Sequence, residues 1–310
     1  MYGDRWISAV EWGVIAVIVA IDFAFAAATG IGVNRALDYT KTFAIILAAW
    51  PALALLIRVT GIAKGGDFIA EMMAKALIFI YAATVFEYYL ATSPAPLRDP
   101  WLIAADRALG FDWPAVFAWF QQHAGLRHVL AYAYSGLTLE TGGVALTLAM
   151  FFPARARRFT TALIVSSLFT IPMLWLLPVA GPFVTFDHID LPQADYTQHY
   201  LAMRAHAFAS IPLDDPRGII SFPSFHASSA VLLSYLVRGI RGLFPASCLF
   251  NAAMLIGTPV LGGHYFVDVL AGLAVAAATI VFIERVVPVR AAPMQPLFRG
   301  EPNPSEASGA

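Results

Sequence analysis

Long apolar runs dominate the chain, and short polar or charged stretches separate them. A helix that crosses the hydrocarbon core of a bilayer needs about 20 mostly apolar residues. Runs of this kind lie at residues 7–28, 42–60, 68–91, 128–152, 159–180, 223–240, 243–261 and 265–287. The pattern therefore predicts an all-α fold, a polytopic membrane helical bundle of about eight (six to eight) transmembrane helices.

The composition supports this prediction. Of the 310 residues, 59% are hydrophobic and only 13% are charged, whereas soluble domains carry about 25% charged residues. The net charge of −1 gives no indication of nucleic-acid binding. We expect residues 1–287 to form one integral-membrane domain with a motif-bearing core at 159–287. Residues 288–310 are rich in Pro, Gly, Ser and Ala, and we expect a disordered tail.

Two long connections, residues 92–127 and 181–222, fall on the same side of the predicted bundle. The first interleaves tryptophan with aspartate and arginine, which is typical of an amphipathic element at the headgroup level. The opposite side carries the short basic connections "PARARR" and "RGIRG", and the positive-inside rule places that side in the cytoplasm. The long connections would then face the periplasm of a bacterial inner membrane or the lumen of a eukaryotic endomembrane.

Histidine occurs at the start of two apolar runs, in "SFPSFHASSA" at 221–230 and "GGHYFVDVLAG" at 262–272. The order of the spans brings His226 and His264 to the same membrane face. Asp268 follows His264 by four residues, where an aspartate can hold one imidazole nitrogen and leave the other free to react. "SFPS" carries helix-start signals, and the N–H groups of a helix N-terminus suit a phosphate. Because ionisable groups at membrane depth are usually functional, we expect a catalytic site here.

These stretches resemble the motifs of the type-2 phosphatidic acid phosphatase superfamily, Pro-Ser-x-His followed by His-x-x-x-Asp. Within it, "SFPSFHAS" and "HYFVDVLAG" are most similar to the inositolphosphotransferase branch, to which inositol phosphorylceramide synthase belongs. The resemblance covers roughly residues 170–287. It implies a membrane-embedded enzyme that acts on a lipid through a phosphohistidine intermediate.

The resemblance implies a role for each motif residue. His264 would attack phosphorus, and Asp268 would orient it and stabilise the imidazolium. His226 would protonate the leaving oxygen and then deprotonate the acceptor, while Ser224 would bind a phosphate oxygen. The motifs do not resemble the HExxH pattern of zinc proteases, so we expect no metal and no cofactor.

The chain departs from the superfamily at its cationic positions. Where the superfamily has Ser-Arg before the second histidine, this chain has Gly257 and Thr258. The Arg-Pro of its first motif would fall on Gly181 and Pro182, and the motif's lysine would fall on Leu174. Two or three of the usual phosphate-binding cations are therefore missing.

Other residues are candidates for holding the phosphate or the headgroup. Thr258 occupies one of the vacated motif positions. Arg204 and Arg217 lie in the long connection before the first motif and are the nearest substitutes for the missing cations. Glu87 lies near the same membrane face, and intramembrane carboxylates are functional candidates. We therefore add these four residues to the predicted substrate site.

Three functions remain open on the sequence. The first is a phosphotransferase that moves a phospho-headgroup between lipids. The second is a lipid phosphatase acting on phosphatidate or a prenyl (di)phosphate, which differs only in using water as the acceptor. The third is a transporter or other non-catalytic membrane protein, in which both histidines would be dispensable. The expected partners are a lipid substrate and the membrane, and the oligomeric state is left open.

Overall fold

The computed structural model describes residues 2–33, 66–213 and 217–287. These residues are mostly helical, which confirms the predicted all-α helical bundle. The second predicted span, 42–60, and the predicted tail at 288–310 lie outside the described residues.

The helices vary from one turn to 28 residues. In the first half of the chain they are α1 Tyr2–Thr29, α2 Gly66–Leu90, α3 Asp99–Ala108, α4 Trp113–Gln121, α5 Ala124–Ser135 and α6 Leu137–Phe151. In the second half they are α7 Pro153–Thr170, α8 Met173–Leu176, α9 Pro182–Thr185, a 3₁₀ turn Pro192–Ala194, α10 Asp195–Arg204, α11 Phe225–Leu236, α12 Leu243–Leu261 and α13 Phe266–Val286. Two short parallel strands, β1 Gly32–Val33 and β2 Ser210–Ile211, pair Gly32 with Ser210 and Val33 with Ile211.

Among the described residues, five segments are long and apolar enough to cross a membrane. They are Arg5–Thr29, Phe68–Leu90, Pro153–Leu176, Leu243–Leu261 and Phe266–Val286. Helices α6 and α11 are apolar but shorter. The predicted bundle therefore keeps its long spans, while two of the runs form helices of fewer than 18 residues.

Residues 128–152, predicted as one span, are divided at Gly136 between α5 and α6. A side chain at Gly136 would collide with the Phe250 ring on α12, since a Cβ there would lie 2.6 Å from its Cζ. Glycine is a common site of helix kinks. The Phe250 ring takes the space that a side chain would need, which explains the glycine at the break and which the apolar pattern alone does not report.

The three last helices pack together and bring both histidine stretches to one end of the bundle. Helix α11 packs against α12 and α13, and α13 also packs against α7. The α11–α13 contact is close at Gly272, where a Cβ would lie 2.4 Å from the Ser224 carbonyl oxygen and 2.8 Å from Ala227 Cβ. Because Gly272 has no side chain, the start of α11 rests directly on the α13 backbone.

A buried charged cluster joins α1, α2 and α7 at the opposite end of the bundle. The Lys75 ammonium lies 2.8 Å from a Glu11 carboxylate oxygen and 2.9 Å from Glu71. The second Glu11 oxygen accepts a 2.7 Å hydrogen bond from the Thr161 hydroxyl. Glu11 and Lys75 are 7% and 4% exposed, so each carries a charge that its partner on the other helix neutralises.

Candidate active site

The two histidine motifs meet through Ser224. Ser224 is the N-cap of α11, and its hydroxyl oxygen accepts a 3.3 Å hydrogen bond from Ala227 N–H. Its own N–H donates to the Asp268 carbonyl at 3.0 Å, which ties α11 to the first turn of α13. In this position Ser224 Oγ lies 3.4 Å from His264 Nε2. The structure therefore brings Ser224 of the first motif against His264 of the second.

The ring of His264 is held in one orientation. It is only 3% exposed, and its Nδ1 lies 2.8 Å from the Ser221 carbonyl oxygen. A carbonyl oxygen accepts but cannot donate, so Nδ1 carries the proton of the neutral imidazole. The lone pair is then on Nε2, the nitrogen that faces Ser224.

Asp268 is fully buried beside His264, and its carboxylate also accepts a hydrogen bond from the backbone. Its Oδ2 lies 3.5 Å from His264 Nδ1 and accepts a 2.8 Å hydrogen bond from Tyr265 N–H. The Ser221 carbonyl is thus the nearer partner of Nδ1, and Asp268 adds a longer electrostatic contact. The sequence predicted the Asp268 contact, but nothing in the pattern indicated Ser221.

His226 projects from the first turn of α11 and is half-buried. Its ring stacks on Tyr134 of α5 with a centroid separation of 4.1 Å, and its Nδ1 lies 3.4 Å from the Tyr134 hydroxyl. A Cβ at Gly262 would lie 2.4 Å from the Tyr134 hydroxyl and 2.9 Å from His264 Cδ2. Tyr134 therefore lies near both histidines, although the sequence did not identify it.

The turn that carries His264 depends on glycine. Gly263 has φ +60°, and a Cβ there would lie 2.5 Å from both the Phe183 ring and the Tyr196 hydroxyl. The Tyr196 hydroxyl donates to the Gly263 carbonyl at 3.4 Å. Burial raises the pKa of Tyr196 well above its usual value, so the hydroxyl stays protonated. The Tyr196 hydroxyl and Gly263, which has no side chain, together fix the turn immediately before His264.

Two carboxylates of α3 also reach this turn. Asp99 accepts hydrogen bonds from Gly181 N–H at 2.8 Å and from the Tyr265 hydroxyl at 3.0 Å. Asp106 accepts from Phe266 N–H and Val267 N–H, both at 2.9 Å. The sequence predicted an interfacial element here but not its inward-facing carboxylates.

The remaining predicted phosphate ligands have other partners. Thr258 is fully buried and donates to the Met254 carbonyl of its own helix at 2.8 Å. Arg204 donates through Nη2 to the Ala95 carbonyl at 2.7 Å, and its buried Nη1 has no hydrogen-bond partner among the described residues. Arg217 pairs with Asp195 at 3.0 Å. None of these contacts includes either histidine.

Glu87 lies at the end of α2 and contacts the segment that precedes the first motif. Its side chain is buried and accepts a hydrogen bond from Ile219 N–H. The neighbouring Tyr88 hydroxyl accepts from Arg217 N–H at 3.1 Å. The carboxylate that we placed in a headgroup pocket is thus bonded to the backbone of the 217–220 segment.

The fold and the site define a class of protein. Long apolar helices form a bundle, and one end of it holds a histidine in the first turn of one helix beside a histidine just before another. The model of the PAP2 superfamily matches residues 100–282, and the chain belongs to this superfamily. No curated protein and no solved structure matches the chain.

The match extends the resemblance found in the motifs. It begins in α3, directly after Asp99, and includes Asp106, whereas the motif resemblance covered roughly residues 170–287. Members of the superfamily are phosphatases and phosphotransferases. The family and the long apolar helices together fit an integral membrane protein. The match does not distinguish the inositolphosphotransferase branch from the others.

Proposed function

We propose that this protein is a lipid phosphotransferase that works through a phosphohistidine at His264 and transfers a phospho-headgroup, as inositolphosphotransferases do. One observation carries the proposal. The Ser221 carbonyl holds the Nδ1 proton at 2.8 Å, so the unprotonated Nε2 of His264 is directed at Ser224 Oγ, 3.4 Å away. A nucleophile needs this free lone pair beside a group that binds phosphate.

In the first half-reaction His264 Nε2 attacks the phosphorus of the donor lipid. The P–N bond forms, the P–O bond to the lipid alcohol breaks, and His226 gives its proton to the departing oxygen. In the second half-reaction His226 takes a proton from the acceptor hydroxyl, whose oxygen displaces His264 from phosphorus. Such acid–base assistance contributes about 10²–10⁴-fold.

The N-terminus of α11 is the expected phosphate site. The Ser224 hydroxyl caps Ala227 N–H, and the first-turn N–H groups of Phe225 and His226 have no carbonyl within the helix to accept them. The positive end of the helix dipole favours an anion at this position. Ser224 thus serves both as the helix cap and as a ligand for one phosphate oxygen.

The chain's missing motif cations favour a donor of low charge. A phosphomonoester carries about −1.5 to −2 at neutral pH, whereas a phosphodiester carries one negative charge. Charge-assisted hydrogen bonds are the strong ones, and losing them weakens binding of the dianion most. We therefore propose a phospholipid diester as donor, with Arg204, whose buried Nη1 has no hydrogen-bond partner among the described residues, and Arg217 as candidate additional cations.

The orientation follows from the basic connections. We propose that the histidine end of the bundle faces the periplasm or a lumen, because the short Arg-rich connections lie at the other end. The donor and the acceptor would then meet in the leaflet on the periplasmic or lumenal side.

The test uses the purified full-length protein in lipid with a panel of phospholipid diesters and phosphatidate. We expect headgroup transfer from a diester, a phosphoenzyme in the wild type, and neither product nor phosphoenzyme in His264→Ala. His226→Ala should slow the first step strongly for a lipid donor and less for a nitrophenyl ester, whose leaving group needs no proton.

Two outcomes would contradict the proposal. An active His264→Ala enzyme would remove the phosphohistidine mechanism altogether. Release of phosphate from phosphatidate with no headgroup transfer, and with Arg204→Gln and Arg217→Gln unchanged in KM, would favour the phosphatase alternative.

A further inference from the structure

Helix α3 combines an exposed face with a face that enters the site. Asp99 and Asp106 lie seven residues, or about two turns, apart on one side of the helix. They are 5% and 3% exposed, whereas Trp101 on the same helix is 61% exposed. A helix at the headgroup level has no need to bury two carboxylates for its own stability, because burial of a charge is unfavourable unless the charge is well bonded.

Asp106 caps the N-terminus of α13. Its two oxygens each accept a 2.9 Å hydrogen bond, one from Phe266 N–H and one from Val267 N–H. These are first-turn groups that have no partner within the helix, and they form the positive end of the helix dipole. Burial raises the pKa of the Asp106 carboxyl, and the two N–H bonds oppose that rise. The two N–H donors and the positive helix end favour the ionised form of this carboxyl, which bonds to residues two and three positions after His264.

Asp99 holds the other side of the same turn. Its Oδ1 accepts from Gly181 N–H at 2.8 Å and from the Tyr265 hydroxyl at 3.0 Å, and its Oδ2 accepts from Ala180 N–H at 3.1 Å. Tyr265 directly follows His264 in the chain. Gly181 lies against Gly263, since a Cβ at Gly181 would be 2.8 Å from the Gly263 carbonyl oxygen. One carboxylate thus connects the segment before α9 to the residues on both sides of His264.

We propose that Asp99 and Asp106 are positioning residues for the transfer at His264: they fix the turn between α12 and α13 and offset the positive charge that the imidazole gains when it bonds to phosphorus. This inference rests on the proposed function. The attack turns a neutral ring into a cation, and the positive end of α13 alone would disfavour that cation. Asp106 offsets the positive end of the α13 dipole. Asp99 fixes the backbone next to His264 and so holds the imidazole in position.

The chain offers a matched control in Asp112. This residue is the N-cap of α4 and accepts a 3.2 Å hydrogen bond from Ala115 N–H. Asp112 is an exposed carboxylate at a helix N-terminus, whereas Asp106 is a buried one, and the hydrogen bond that Asp112 accepts comes from its own helix rather than from the His264 turn. Replacing Asp112 with Asn changes a helix cap without changing the charge beside His264.

The experiment measures the rate of phosphoenzyme formation in a single turnover, KM and the melting temperature for Asp106→Asn, Asp99→Asn and Asp112→Asn. Asparagine keeps the size of aspartate and one acceptor oxygen but removes the charge. We expect both α3 variants to form the phosphoenzyme roughly 10- to 100-fold more slowly, the range that a charge-assisted hydrogen bond supports. KM should change by less than about threefold and Asp112→Asn should retain the wild-type rate, because the effect is on the charged transition state rather than on binding.

The outcomes separate this inference from the proposed function. Wild-type phosphoenzyme rates in Asp106→Asn and Asp99→Asn, with His264→Ala inactive, would overturn the positioning role and leave the phosphohistidine intact. An active His264→Ala would overturn the proposed function itself. If the phosphoenzyme rate and the melting temperature of Asp106→Asn fall together, Asp106→Glu distinguishes a role in positioning from a loss of folding. Recovery of the rate by the restored charge supports the inference, and no recovery overturns it.

Discussion

Replacing Gly272 with alanine tests whether the α11–α13 contact sets the distance between the two motifs. The added Cβ would lie 2.4 Å from the Ser224 carbonyl oxygen, whereas ordinary contacts begin at 3.4 Å. The start of α11 must therefore move away from α13 by about 1.0 Å. The 3.4 Å separation between Ser224 Oγ and His264 Nε2 would grow by a similar amount.

The expected result is a large loss of turnover with a small loss of stability. A misplacement of about 1 Å can reduce a rate by about 100-fold. Overpacking costs about 1–3 kcal/mol, but alanine gains about 1 kcal/mol over glycine within a helix. We therefore expect kcat to fall roughly 100-fold while the free energy of unfolding falls by no more than about 2 kcal/mol.

Gly143→Ala in α6 is the matched control, since nothing lies within 4 Å of a Cβ at that position. It should keep the wild-type kcat and gain slightly in stability. The assay is headgroup transfer by the purified variants in lipid, with thermal unfolding measured on the same samples. Wild-type turnover in Gly272→Ala, or an equal loss in Gly143→Ala, would refute the reasoning.

Three further predictions concern residues away from the two histidines. Glu87→Gln should keep KM and kcat, because glutamine can still accept the Ile219 N–H bond, whereas a rise in KM would show that the charge binds the substrate. Glu140→Ala should lower the free energy of unfolding by about 1–3 kcal/mol with an unchanged kcat, since Glu140 accepts hydrogen bonds from two polar side chains of α12; a loss of kcat at constant stability would contradict this. In a background without the native cysteine, a cysteine at Asp190 should react with an impermeant thiol reagent added outside and one at Ala154 should not; the reverse labelling would invert the proposed orientation.

The sequence predicted the parts of the site that are local in the chain. Ser224 and His226 are two residues apart at a helix start, and His264 and Asp268 are four apart, so each motif could be identified from spacing. That the motifs share a membrane face followed from counting apolar runs. The structure adds that Ser224 Oγ and His264 Nε2 come within 3.4 Å.

The missed residues reach the site from distant parts of the chain. Asp106 bonds to residues 160 and 161 positions away, and Tyr134 meets His226 across 92 positions. No local periodicity encodes such contacts, and an aspartate in an interfacial helix looks the same whether it faces water or the site. The Ser221 carbonyl is a backbone group, which a side-chain pattern cannot reveal. The division of residues 128–152 at Gly136 was also missed, and the Phe250 ring that contacts this glycine lies on another helix.

The charged cluster of α1 and α2 has a consequence for how the protein is made. A lone charged residue in an inserting helix is unfavourable by up to about 2.5–3.5 kcal/mol, the cost at the helix centre. Glu71 can accompany Lys75 within α2 because they are 2.9 Å apart on one helix, but among the described residues the cation that pairs with Glu11 lies on α2. During synthesis α1 therefore emerges from the ribosome before its counter-charge exists, so its stable insertion should wait for α2, and nascent chains that end before Lys75 should be held at the translocon or degraded.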